Sequence, residues 1–206
     1  MMDYVELTLR RNRGWPWPEK SWGLTPMYGE DGWCHTCGMP LRDQIGPLVL
    51  QSKGLGRASG AWVPNWRFDA YCMDATVSAA VADGFALKLM PVDWHGAPAV
   101  DASQVIVPSS EGPWFEADQL TEATSRVHGV AGATCADCGR WRWMPVGMAD
   151  LRRPDLKAFA GNPDVVASPE WFGDGAQSFR QIVWRRELAD RLLSASPRDF
   201  RIQELA

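Results

Sequence analysis

The sequence predicts an α+β protein made of two related halves joined through a shared zinc-ribbon-like site. Three observations lead there. Two CxxCG knuckles, Cys34-His35-Thr36-Cys37-Gly38 and Cys135-Ala136-Asp137-Cys138-Gly139, lie far apart in the chain. A strand–helix–strand order follows each of them. With 46% hydrophobic residues over 206 positions, a chain of this length can hide roughly 70–75% of its unfolded surface. A single compact domain over residues 1–206 is expected, with pseudo-repeated halves of about 1–110 and 111–206.

Taken in order, Tyr4 to Arg10 alternates as a first strand should. Asn12 to Asp31 reads as an extended, tryptophan-rich loop, because Pro16 and Pro18 exclude helix and withhold ladder donors. Pro47 to Gln51 is a short strand, and Lys53 to Gly60 a glycine-rich loop. Phe68 to Met73 reads as a strand, Asp74 as the N-cap of a helix over Ala75 to Ala82, and Gly84 as its stop. Phe85 to Leu89 alternates as a strand, His95 to Ala99 is a loop, and Gln104 to Val107 is a further strand.

The second half runs in similar order. Gln119 to Arg126 is a brief helix ahead of the second knuckle, and Trp141 to Val146 a strand after it. Phe179 to Trp184 is a strand, and Arg186 to Ser194 an amphipathic helix with Leu188, Leu192 and Leu193 on one face. Pro197 ends that helix, and Phe200 to Leu205 closes the chain as a strand.

The cysteines carry the chemistry. Two thiols separated by two residues can grip one metal through a tight turn, and the glycine after each pair suits a position that often needs positive φ. Cys34, Cys37, Cys135 and Cys138 together would satisfy tetrahedral zinc. Meeting requires the 97 residues from 38 to 134 to fold between the knuckles. Four thiolates leave no open position for water, so the expected role is structural. The same four sulfurs could hold iron. Trp33-Cys34-His35-Thr36-Cys37 also has the form of a dithiol redox site, although Gly38 and Pro40 oppose the helix such a site needs. Haem attachment would want histidine where Gly38 and Gly139 stand. Cys72, in Ala70-Tyr71-Cys72-Met73, is expected to be a buried inert thiol. His35, His95 and His128 have no recognisable catalytic partners. The run Gly54 to Gly60 lacks the Gly-Lys-Ser/Thr of a P-loop.

Net charge is −4, with a pI near 5.4, and no local basic patch stands out, which argues against a nucleic-acid footprint. The C-terminal arginines interleave with Glu187, Asp190, Asp199 and Glu204 as a solvated face. No run of about 18 apolar residues occurs, and the start lacks a secretory pattern, so a reducing cytoplasm is the expected location. The twelve tryptophans are expected mostly in the core, with any exposed cluster marking a partner-binding face.

The two CxxCG knuckles, one near the start and one past the middle, resemble the bacterial double-CXXCG motif family. Ile182-Val183-Trp184-Arg185-Arg186-Glu187-Leu188 is similar to that family's C-terminal strand running into an Arg-rich helix. Some members are described as immunity proteins that neutralise toxins passed between neighbouring cells. The resemblance therefore implies a non-enzymatic binding protein with a cognate protein partner. A zinc-ribbon nucleic-acid-binding or regulatory protein and a CxxC dithiol redox protein are the alternatives.

Overall fold

The computed structural model describes residues 3–10, 16–52, 58–96, 101–152, 154–155, 159 and 161–205. Two four-stranded antiparallel sheets dominate them. The first combines β3 (Ala61–Trp62), β4 (Tyr71–Asp74), β7 (Ala102–Val105) and β5 (Leu89–Pro91), in that spatial order. The second combines β10 (Val165–Ala167), β11 (Ile182–Arg185), β1 (Tyr4–Leu9) and β12 (Phe200–Glu204). Two small pairs complete the strands: parallel β2 (Val49–Gln51) with β6 (Asp93–His95), and the hairpin of β8 (Gly132–Thr134) with β9 (Trp141–Trp143).

Helices α2 (Ala75–Ala82) and α4 (Arg186–Ala195) each continue directly from a strand, β4 and β11, with no intervening residue. The Asp74 carboxylate accepts the Val77 N–H at 2.9 Å, capping α2 as the sequence predicts. On α4, Leu188, Ala189 and Leu192 are buried, the face that the leucine spacing picks out. Both helices contribute to one central core with the facing sides of the sheets, through Val77, Val81, Leu188 and Leu192 against Leu7, Tyr71, Met73 and Trp184.

Period-two alternation assigns the outer faces. Tyr4 and Val183 turn to a second core with Trp114, Leu120 and Phe172, under α3 (Ala117–His128). Cys72 turns to a third with Leu24, Trp33, Leu48 and Trp62. Because each sheet is covered on both sides, β4 and β11 read as nearly continuous apolar runs, Tyr71-Cys72-Met73 and Ile182-Val183-Trp184.

A boundary near residue 110 does not separate the sheets. β1, from the start of the chain, lies between β11 and β12, with Val5 opposite Trp184 and Leu7 opposite Ile202. Tyr4, Val5 and Leu7 are all buried there.

Several predicted elements shift. The segment 12–31 is not wholly loop: α1 (Leu24–Tyr28) forms one short turn, which admits Pro26 because early helical N–H groups lack partners in any case. Residues 85–88 are not strand, and β5 begins only at Leu89. Their alternation reflects Phe85 and Leu87 packing on the central core, while the Ala86 N–H is taken by the Asp164 carboxylate at 2.5 Å. β4 and β11 start three residues later than predicted, and β7 lies two residues earlier. Positions 53–57 of the glycine-rich loop and 97–99 of the predicted loop after His95 lie outside the described residues.

The tryptophans also depart from expectation. Trp33, Trp62, Trp114 and Trp184 are core, but Trp17, Trp22, Trp66 and Trp141 are exposed. No helix among the described residues is long and apolar enough to cross a membrane.

Glu6 occupies a central strand, opposite Gln203, and its burial pushes the carboxyl from an ordinary 4.5 up to about 7. The folded chain therefore holds a proton there that the unfolded chain has released. From about pH 4.5 to about 7 the stability is expected to fall as pH rises, the penalty being absent below this window and complete above it. Urea midpoints of the parent and Glu6→Gln, measured across that range, check it: the substitution should flatten this part of the profile.

Candidate metal centre

Each knuckle is built the same way. The Cys34 N–H donates to the Met39 carbonyl at 2.9 Å, and the Gly38 N–H to the Cys34 carbonyl at 2.7 Å. In the second knuckle the Cys135 N–H donates to Arg140 and the Gly139 N–H to Cys135, both at 2.9 Å. A bridge between Trp33 and Pro40 closes the first turn, and hairpin β8–β9 closes the second, with Thr134 opposite Trp141. Gly38 and Gly139 take φ of 72° and 68°, the left-handed values that a side chain disfavours.

The turns bring the four sulfurs together. All four Sγ atoms lie within 4.8 Å of one another. Cys34 to Cys135 and Cys37 to Cys138 are each 3.7 Å apart. A tetrahedron with metal–sulfur bonds of about 2.3 Å has edges of about 3.8 Å, so the spacing fits a shared metal. It is far longer than a disulfide bond, at about 2.05 Å, and all four cysteines are free. Cys34, Cys37 and Cys135 are buried and Cys138 partly so. The donor set suits zinc or iron.

The thiols differ in how readily they ionise. The backbone N–H groups of Cys138 and Asp137 point at the Cys135 sulfur and bring its thiol down to about 7. Burial pushes Cys37 up to about 12 and Cys138 also upward. Without a cation, four thiolates this close cannot all stay ionised, so metal uptake must displace protons.

Contacts between the knuckles surround the sulfurs. The Thr36 hydroxyl donates to the Asp137 carboxylate. The Arg140 guanidinium donates to the Pro40 carbonyl at 2.9 Å. Arg142 reaches the carbonyls of Cys37, Gly175 and Gln177 at 2.9–3.1 Å, and the Ser178 hydroxyl donates to the Cys37 carbonyl at 2.7 Å. Arg142 and Ser178 are outer-shell residues of the kind that orient ligands. Sequence spacing could not identify them, because their target is a main-chain oxygen more than 100 positions away from Arg142.

The other candidates lie elsewhere. His35 stacks on Trp33 with centroids 4.0 Å apart, and its Nε2 contacts the Glu30 carbonyl at 2.8 Å. His95 ends β6, and His128 contacts the Pro145 carbonyl from the end of α3. Cys72 is buried in β4, where desolvation raises its thiol and keeps it protonated. No helix starts at either knuckle, so the geometry that activates a dithiol redox cysteine is missing there.

The two glycines make a test. A Cβ on Gly38 would meet the Ala176 carbonyl oxygen at 2.3 Å, whereas one on Gly139 would meet nothing within 4 Å. Gly139→Ala is expected to cost about 1–2 kcal/mol from left-handed strain alone. Gly38→Ala should cost at least about twice that and speed metal loss to a chromogenic chelator, as followed by stopped flow.

Comparison with family models, with curated proteins and with solved structures gives no match.

Proposed function

We propose that the chain is a non-enzymatic binding protein clamped by one structural zinc ion, acting in the bacterial cytoplasm as an immunity-like protein that neutralises a cognate toxin. The observation that carries this reading is the four-sulfur cluster itself. Four cysteines complete a tetrahedral shell, and zinc in such a shell has no position left for substrate or water. Its work is mechanical: it ties residues 34–37 to residues 135–138. The pair of CxxCG knuckles that carries the family resemblance supplies the toxin-neutralising part of the reading.

The exposed aromatic residues support a binding role. Trp66 and Phe68 are each about half exposed and meet edge to face, with centroids 6.2 Å apart. Trp66 also holds a left-handed φ of 64°, a strained conformation for a bulky residue. Exposed tryptophans are common anchors of interfaces. The net charge of −4 would speed encounter with a basic partner such as a nuclease.

Elemental analysis with thiol counting tests the clamp: one zinc per chain and four thiols masked until a chelator is added. Thiols that instead cycle freely with a dithiol reductant would replace it with the redox reading. Co-expression with the product of the adjacent gene tests the partner. That product should arrest growth alone, be neutralised by this chain and co-purify with it. A harmless product that does not co-purify would remove the immunity reading.

A further inference from the structure

A cleft of about 980 Å³ runs between the two sheets, beside the metal centre. Its size lies at the upper end of the range for small-molecule sites. Six cationic side chains line it: Arg42, Arg67, Lys88, Arg140, Arg180 and Arg185. They face three aspartates, leaving a surplus of three positive charges in a chain whose net charge is −4.

The pairing shows which charges are free to meet a ligand. Arg67 binds Asp69 at 2.9 Å and Arg185 binds Asp164 at 2.8 Å, which neutralises two of the aspartates. Arg42 and Arg140 donate to the neutral carbonyls of Tyr28 and Pro40, which leaves their charge uncompensated. Arg180 lies over the Trp171 ring at 5.1 Å. The buried Nε groups of Arg180 and Arg67 have no acceptor among the described residues, although Arg67 is only 4% exposed. A buried donor without an acceptor costs about 1–3 kcal/mol, a cost that falls when an anion supplies the acceptor. Guanidinium groups match phosphate oxygens in geometry as well as charge. The lining also includes apolar Val105, Val107 and Val165, beside which an uncharged ring can lie.

We propose that this cleft binds a small molecule carrying a di- or triphosphate group, with the guanidinium and ammonium groups of Arg42, Lys88, Arg140 and Arg180 on the phosphates. The site is independent of the toxin-binding reading, since it needs only the cleft and its charges.

Calorimetric titration of the zinc-loaded full chain with ADP tests it, with pyrophosphate, adenosine and citrate as comparison probes. ADP is expected to bind with Kd of about 10–100 μM, pyrophosphate and citrate more weakly, and adenosine without measurable heat. Lys88→Glu and Arg180→Ala should each weaken ADP at least about tenfold, while Arg198→Ala, on an exposed turn away from the cleft, should not change it. Bound ADP should also raise the thermal midpoint of the parent. If Arg180→Ala does not fold, as judged by its thermal transition, the Lys88 variant decides alone. No heat with ADP at about 1 mM, equal binding of citrate, or parental affinity in the folded variants would overturn the proposal.

Discussion

Replacing Cys37 by serine is expected to abolish stoichiometric metal binding and to lower the thermal midpoint by about 10–20 °C. Cys37 is fully buried, and its sulfur lies 3.7 Å from that of Cys138. Serine keeps the carbonyl that accepts from Ser178 and Arg142, so the substitution isolates the loss of the thiolate. Structural zinc contributes on the order of 10 kcal/mol in small domains. Here three hydrophobic cores apart from the cysteine cluster also hold the fold, so about 5 kcal/mol is the expected share, and 1 kcal/mol shifts the midpoint of a chain this size by about 2–4 °C. The matched control is Cys72→Ala, which removes a buried thiol outside the cluster and should leave the metal content unchanged. Acid should mimic the serine variant. Metal binding must displace protons from thiols, Cys135 at about 7 and Cys37 at about 12 among them, so retention weakens as pH falls. Metal content after gel filtration, together with calorimetric scans, reads all of this. An unchanged midpoint in Cys37→Ser with full metal content would reject the clamp.

Trp184→Ala should destabilise the fold by about 3–5 kcal/mol, lowering the midpoint by about 6–20 °C, with metal stoichiometry retained at temperatures where the variant is folded. Trp184 is fully buried at the end of β11, opposite both Val5 of β1 and Val165 of β10. Its ring meets Tyr71 of the other sheet edge to face, with centroids 4.9 Å apart. Tyr71 in turn donates to the Leu7 carbonyl at 3.2 Å and lies 5.7 Å from Phe200. The indole therefore joins the first sheet through Tyr71 and, through Tyr71, the chain start and the chain end. Truncation leaves a cavity that three separate strands would have to collapse to fill. Guanidinium midpoints for Trp184→Ala and for the exposed control Trp17→Ala separate this from a generic tryptophan effect; the control should lie within about 0.5 kcal/mol of the parent.

Local patterns were readable from the residues. The helix over Ala75–Ala82, its Asp74 cap, the buried stripe of α4 and the turn-forming glycines after each cysteine pair follow from near neighbours, because capping, helical periodicity and positive φ are short-range constraints. The cysteine spacing specified what kind of metal site each knuckle could join, since ligand type and turn geometry lie within six residues. Phe85 to Leu89 misled for the opposite reason. Its alternation is real, but the core it faces and the Asp164 that holds its backbone come from elsewhere in the chain.

Only the tertiary structure placed β1 inside the C-terminal sheet, set the two knuckles sulfur to sulfur, and gave Arg142 its place behind Cys37. It also gathered six scattered cations around one cleft in a chain whose net charge is −4. A residue's neighbours along the chain determine its backbone preferences and the chemistry it can offer. Which groups share a low-dielectric volume depends on how distant surfaces pack, and no local pattern encodes that.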